Sequence, residues 1–147
     1  MSLIERVFKN SITITKNTYI ATDSQEVLRH VQSFSTNIVM TSDAHISGTD
    51  RVFEAAENLK INDDTLIINL QGDEPFMPKE LVIQLVEEFN KNSCDVISAC
   101  HPINNSDDLK NPNCVKVHCD SNNYAKSFQR TLNSNELSMR HIGIYGY

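Results

Sequence analysis

No apolar run in these 147 residues approaches the roughly 18–20 residues that a membrane helix needs. The opening Met1-Ser2-Leu3-Ile4-Glu5-Arg6 has none of the charged, apolar and small-residue regions of a secretory signal. A cytoplasmic location without a membrane partner is therefore the default expectation. The net charge is -6, but no block of like charges occurs. That argues against a large nucleic-acid surface and leaves room only for a small phosphate pocket. No Cys-x-x-Cys pair is present among Cys94, Cys100, Cys114 and Cys119, so a zinc or thioredoxin-like reading has little support. His118 adjoins Cys119, but neighbours on a strand point to opposite faces and cannot easily share one ion. All four cysteines read as free thiols of a reducing compartment. There is no internal repeat, low-complexity segment or inter-domain linker, and residues 1–147 read as a single domain.

What is present suits a globular chain. Hydrophobic residues make up 39% and charged residues 22%, and the length allows one real core. Apolar periodicity predicts a helix over residues 3–10, then a short strand at 18–22. A helix capped by Asp23 or Ser24 follows, with Val27, Leu28, Val31 and Phe34 on its inner face. A strand at 37–40 leads into a polar loop. The next helix runs to about Leu59, with Val52, Ala55, Ala56 and Leu59 on one face. Leu66-Ile67-Ile68-Asn69-Leu70 starts as an unbroken apolar run of the kind found in the centre of a parallel sheet. Pro78 suits the first turn of another helix, which carries Val82, Leu85, Val86 and Phe89 inward. A strand is expected at 95–99, and residues 104–113 read as a loop with one helical turn. Val115, Val117 and Cys119 alternate with Lys116 and His118, so the lysine is expected to face outward. Asp120 to Asn123 is a hairpin turn by composition, with a returning strand at 124–129. Residues 131–140 are polar and irregular, and 141–147 form a last strand. The alternation predicts an α/β fold: a mostly parallel open sheet with helices on both faces and an added antiparallel hairpin.

Three stretches can carry chemistry. In Gln71-Gly72-Asp73-Glu74-Pro75 the apolar run turns polar, where ligands of open α/β sheets bind. Gly72 allows close approach, and Asp73 is a carboxylate suited to a hard divalent cation. Asp73 and Glu74 can equally cap the next helix. Ser47-Gly48-Thr49-Asp50-Arg51 opens a helix, where backbone N–H groups take an anion or the polar edge of a base. Arg51 can reach a phosphate, although an ordinary cap by Ser47 or Thr49 explains the same residues. In the last strand His141, Gly143, Tyr145 and Tyr147 share one face, forming either a polar wall for a ligand or an edge of packed aromatics.

Together these stretches resemble one family. In order they are Ala-Thr-Asp (21–23), Met-Thr-Ser-Asp-Ala-His-Ile-Ser-Gly-Thr-Asp-Arg (40–51) and Asn-Leu-Gln-Gly-Asp-Glu-Pro (69–75). Asn-Pro-Asn-Cys-Val-Lys-Val (111–117) and Arg-His-Ile-Gly-Ile-Tyr-Gly-Tyr (140–147) complete the set. The pattern is similar to that of the 3-deoxy-manno-octulosonate cytidylyltransferases, the CMP-Kdo synthetases of lipopolysaccharide synthesis.

The resemblance implies a nucleotide-diphospho-sugar-transferase-like fold. It also implies transfer of CMP from CTP to 3-deoxy-manno-octulosonate (Kdo) with release of pyrophosphate, a need for Mg²⁺, and a homodimer in the full-length family. By the same resemblance Asp73 is the catalytic metal ligand, and Ser47, Gly48 and Thr49 lie at the cytosine pocket with Arg51 nearby. Gln71 lies between nucleotide and sugar, and His141 and Tyr145 contact Kdo. Arg130 falls where the family has an arginine facing the sugar carboxylate. The family pattern places a first strand and a basic phosphate loop ahead of the helix matched by residues 2–7. Beyond residues 146–147 it places a second magnesium aspartate. The 147 residues thus match the middle of the enzyme, and taken alone they are expected to turn over little. The alternatives are a non-catalytic remnant keeping the fold and an interaction surface, or a cytidylyltransferase for another acidic sugar such as a sialic acid.

Overall fold

A computed structural model describes residues 1–131 and 139–147. Most of the irregular stretch expected at 131–140 therefore lies outside the described residues. The elements run α1 (Leu3–Ser11), β1 (Ile20–Thr22), α2 (Gln25–Gln32), β2 (Ile38–Met40), α3 (Gly48–Asn58) and β3 (Ile68–Leu70). They continue with α4 (Lys79–Lys91), β4 (Ile97–Pro102), α5 (Ser106–Lys110), β5 (Lys116–Cys119), β6 (Ala125–Gln129) and β7 (Met139–Gly146).

Local chemistry explains the helix starts. Ser2, Ser24 and Ser47 each accept a hydrogen bond from the backbone N–H three residues on, at Glu5, Val27 and Asp50. Each satisfies one of the N–H groups left free at a helix start. Pro78 sits one place before α4 and has no such bond to give.

The expectation of a mostly parallel sheet is corrected. Only β1 and β2 pair in parallel, as a two-stranded sheet of their own. In the five-stranded sheet every pairing is antiparallel. The cause is the position of β7. It pairs with β3 and with β4, so those two strands, which run in the same direction, are separated by a third running against them. An apolar run of the Leu66–Leu70 kind shows that both faces are covered, not which way the neighbours run.

β7 also receives β5, through Lys116 opposite Arg140 and Val117 opposite Met139. β3 occupies the other end of the strand, at Ile144 to Gly146. The chain thus leaves β3 at Leu70 and enters β5 at Lys116 on either side of Ile142–Gly143.

The core lies on one face of this sheet. Met77, Val82, Leu85 and Ile144 form its buried centre, with Ile68, Leu70, Ile97, Ala99 and Ile142 packed around them. Ile142, Ile144 and Gly146 of β7 face this core. A methyl group built at Gly146 would lie 2.9 Å from Ile97 Cγ2, 3.0 Å from Leu85 Cδ2 and 3.1 Å from Ile68 Cδ1. A second core of Phe8, Ile20 and Val31 joins α1, β1 and α2.

Lys116 is a second correction. It was expected to face solvent, yet it is 1% exposed. Its ammonium donates to the carbonyls of Asn111 at 2.6 Å and Arg130 at 3.0 Å. Strand alternation gives the face a side chain leaves from, and it cannot foresee that two loop carbonyls converge on that face. All four cysteines are free thiols. Burial, and then the neighbouring Cys119 thiol, push the Cys100 thiol above its ordinary pKa.

Candidate active site

The start of α3 is organised by its own loop. Ser47 accepts from Asp50 N at 3.1 Å and donates to Asp50 Oδ2 at 2.6 Å. Arg51 donates to Asp23 Oδ2 at 2.6 Å, to Thr41 Oγ1 at 2.7 Å and to the Ser42 carbonyl at 3.3 Å. It therefore ties the ends of β1 and β2 to α3, and a phosphate would have to compete with Asp23 for it. Glu54 accepts from Ser42 N at 2.9 Å and makes a short contact with His45 Nε2. The backbone bond from Ser42 and then the His45 contact hold the Glu54 carboxyl below the ordinary glutamate pKa. These bonds fix residues 41–47 over the helix and leave Gly48 and Thr49 exposed at its start.

Gln71 continues from β3 into the centre of the arrangement. A methyl group built at Gly48 would lie 3.6 Å from Gln71 Nε2, and one at Gly143 would lie 3.5 Å from Gln71 Cγ. The amide thus stands between the start of α3 and the middle of β7. Asn69, buried within β3, donates to Tyr147 Oη at 3.0 Å. The chain then turns, with Glu74 N donating to the Gln71 carbonyl at 3.2 Å. Asp73 is exposed at that turn.

No group of three or more His, Cys, Asp or Glu side chains able to hold a metal occurs among the described residues. A fully protein-made cage is therefore a poor fit. One exposed carboxylate at a strand end does fit Mg²⁺, which keeps several waters and binds through one or two carboxylates plus substrate phosphates.

The odd-numbered face of β7 forms the other side. The His141 ring lies 5.1 Å from Phe128 and 5.2 Å from Tyr145, centroid to centroid. Its Nε2 is 2.8 Å from Ser98 Oγ. Burial lowers the His141 pKa because it disfavours the charged ring. Burial, and then Tyr147, raise that of Tyr145. Arg130 is exposed after β6, and it donates to the Pro112 carbonyl at 3.1 Å. No described contact joins it to His141 or Tyr145.

Gly48, Gln71, Gly143, His141 and Tyr145 are thus brought together, while Arg51 and Arg130 are held by protein acceptors. Asp23, Asn69, Ser98 and Phe128 belong to the arrangement and were given no site role from the sequence, where Asp23 was read only as a candidate helix cap. Asn69 carried a signal, as an amide within an apolar run, whereas Ser98 carried none.

An α/β chain with a helix start, a strand-end carboxylate and a polar strand face around one amide is arranged as a nucleotide-handling transferase would be. The family model described as "Cytidylyltransferase" matches residues 1–147, and the chain belongs to that family. Its relatives include the 3-deoxy-manno-octulosonate cytidylyltransferase of Thermodesulfovibrio yellowstonii, 35% identical over 164 residues, covering 99% of this chain and 64% of the relative. The enzyme of the same name from Francisella tularensis subsp. holarctica is 38% identical over 163 residues, with the same coverage of 99% and 64%. Among solved structures, CMP:2-keto-3-deoxy-manno-octonic acid synthetase complexed with CTP matches with a TM-score of 0.83 and 29% identity, covering 99% of this chain and 62% of that one. The chain therefore spans a little under two thirds of the length of these relatives. No helix among the described residues is long and apolar enough to cross a membrane.

Proposed function

We propose that this chain carries the central part of a site that transfers CMP from CTP to Kdo, giving CMP-Kdo and pyrophosphate. The observation that carries the reading is the place of Gln71, between Gly48 at the start of α3 and Gly143 on β7. An amide there can touch a nucleotide on one side and a sugar on the other. The relatives' names support CTP and Kdo as the two ligands.

In this reading the exposed backbone at Gly48 and Thr49 takes the cytosine edge, held in place by the Ser47 cap and by Glu54. Asp73 would hold Mg²⁺, which when bound would supply neutralisation of phosphate charge. His141 and Tyr145 take the sugar. Arg51 and Arg130 are proposed for the triphosphate side and the sugar carboxylate, and each must exchange a protein acceptor for the ligand.

The base pocket is expected to prefer cytosine to uracil. CTP and UTP titrated against ¹⁵N-labelled protein should shift the amides of residues 47–51 differently, with tighter binding of CTP. Indistinguishable shifts and affinities for the two would refute the assignment. Following pyrophosphate release from CTP, Kdo and Mg²⁺ then tests the transfer itself.

A further inference from the structure

The pairing of β4 with β7 slips at one point. Ser98 stands opposite Tyr145, but the next residue, Ala99, stands opposite Ile142, so Gly143 and Ile144 are passed over. Such a bulge bends a strand and re-aims the side chains beside it. Ser98 lies at this defect. Its hydroxyl donates to the Ile144 carbonyl at 2.7 Å and lies 2.8 Å from His141 Nε2.

A serine hydroxyl has one proton and two lone pairs, and a carbonyl oxygen can only accept. The proton is thus committed to Ile144, which is fully buried. Toward His141 the same oxygen can act only as an acceptor, so Nε2 must carry a hydrogen. A neutral imidazole has one N–H, and Nδ1 then presents a lone pair. No buried side-chain nitrogen or oxygen among the described residues lacks a partner, and Ser98 is the partner described for the ring, at Nε2. Nδ1 is accordingly open to a ligand.

We infer that Ser98 is a positioning residue that locks His141 in the Nε2–H tautomer, leaving Nδ1 to accept a hydrogen bond from a hydroxyl of a polyhydroxy ligand. The inference rests on the β7 face being the sugar-acid side of the site. It assigns that histidine a chemistry opposite to the one an acidic ligand first suggests. A neutral ring with its lone pair outward repels a carboxylate and selects a donor, so the acid group must be met elsewhere. The surroundings agree. Phe128 and Tyr145 flank the ring, the backbone partners of His141 are Cys100 and Val115, and no described carboxylate pairs with it. Burial in this setting disfavours the imidazolium.

The test is a long-range ¹H–¹⁵N correlation of the histidine rings, above the ordinary histidine pKa of about 6.5. The His141 signals are identified by their loss in His141→Asn. The wild-type chain is expected to show the Nε2–H pattern. Ser98→Ala should lose it to a tautomer mixture, and Ser98→Thr, which keeps the hydroxyl, should retain it. A wild-type Nδ1–H pattern, or an unchanged pattern in Ser98→Ala, would overturn the inference. Kdo added with CTP should shift Nδ1 while the Nε2–H pattern persists, whereas a doubly protonated ring in that complex would overturn the acceptor role. No response to Kdo would count against the sugar-acid reading of the site, with the tautomer already decided by the ligand-free spectra.

Discussion

Asp73→Asn is expected to remove the metal-dependent part of CTP binding. Mn²⁺ relaxation enhancement in the presence of CTP should fall to the level of Mn²⁺ and CTP without protein. Asp73 is exposed at the turn after β3, on a support fixed by the pairing of Asn69 with Tyr145 and by the Asn69–Tyr147 bond. Asparagine keeps the shape and removes the charge, so a loss speaks for the charge itself. With no cluster of three ligands among the described residues, no neighbouring set of carboxylates stands ready to take over. Removing one preorganised charge-stabilising group typically costs about 10²–10³ in rate, and the same loss is expected of pyrophosphate release in any form of the protein that turns over. Equal metal binding by the two proteins would sink the assignment.

Ile144→Ala should be the most damaging single change to stability, at about 2–5 kcal/mol. Ile144 is fully buried, it packs with Met77, Val82 and Leu85, and it sits where β7 is held between β3 and β4. The lost methyl groups leave a cavity that neither flanking strand can close without breaking its register. Gly146→Ala perturbs the same core in the opposite sense. Its new methyl group would meet three side-chain carbons at 2.9–3.1 Å, and such overpacking costs about 1–3 kcal/mol. Urea denaturation followed by circular dichroism measures both. A midpoint for Ile144→Ala within error of wild type would show that β7 does not carry the core.

Much of the local structure was legible in the sequence. Apolar spacing located α1 to α4, and Ser24 and Ser47 were among the cap candidates at the starts of α2 and α3. The shared face of His141, Gly143 and Tyr145 followed from strand alternation alone. What could not be read was whatever depends on which strands are neighbours. The apolar run through Ile68 is equally compatible with parallel and antiparallel partners, so the insertion of β7 beside it left no mark in its composition. The burial of Lys116 depends on carbonyls of residues 111 and 130, five and fourteen positions away, and no local pattern encodes that convergence. Ser98 escaped notice for a similar reason. A serine in a strand is ordinary, and its meaning comes from a bulge that exists only once β4 and β7 have paired.

The seat of β7 between β3 and β4 also sets the order in which the molecule can assemble. β1 and β2, joined through α2, lie within 21 residues of chain, Ile20 to Met40, and can pair as soon as they are made. β3 and β4 cannot, because the strand each requires is β7. Asn69 and Tyr147, for instance, meet across a separation of 78 residues. Loop closure over such distances must precede any reward from the contacts, which slows folding. On the ribosome the strand edges of β3 and β4 therefore wait unpaired until residues 139–147 have emerged. That interval is when the chain is most exposed to pairing with another copy of itself, and a holdase covering those edges would act there.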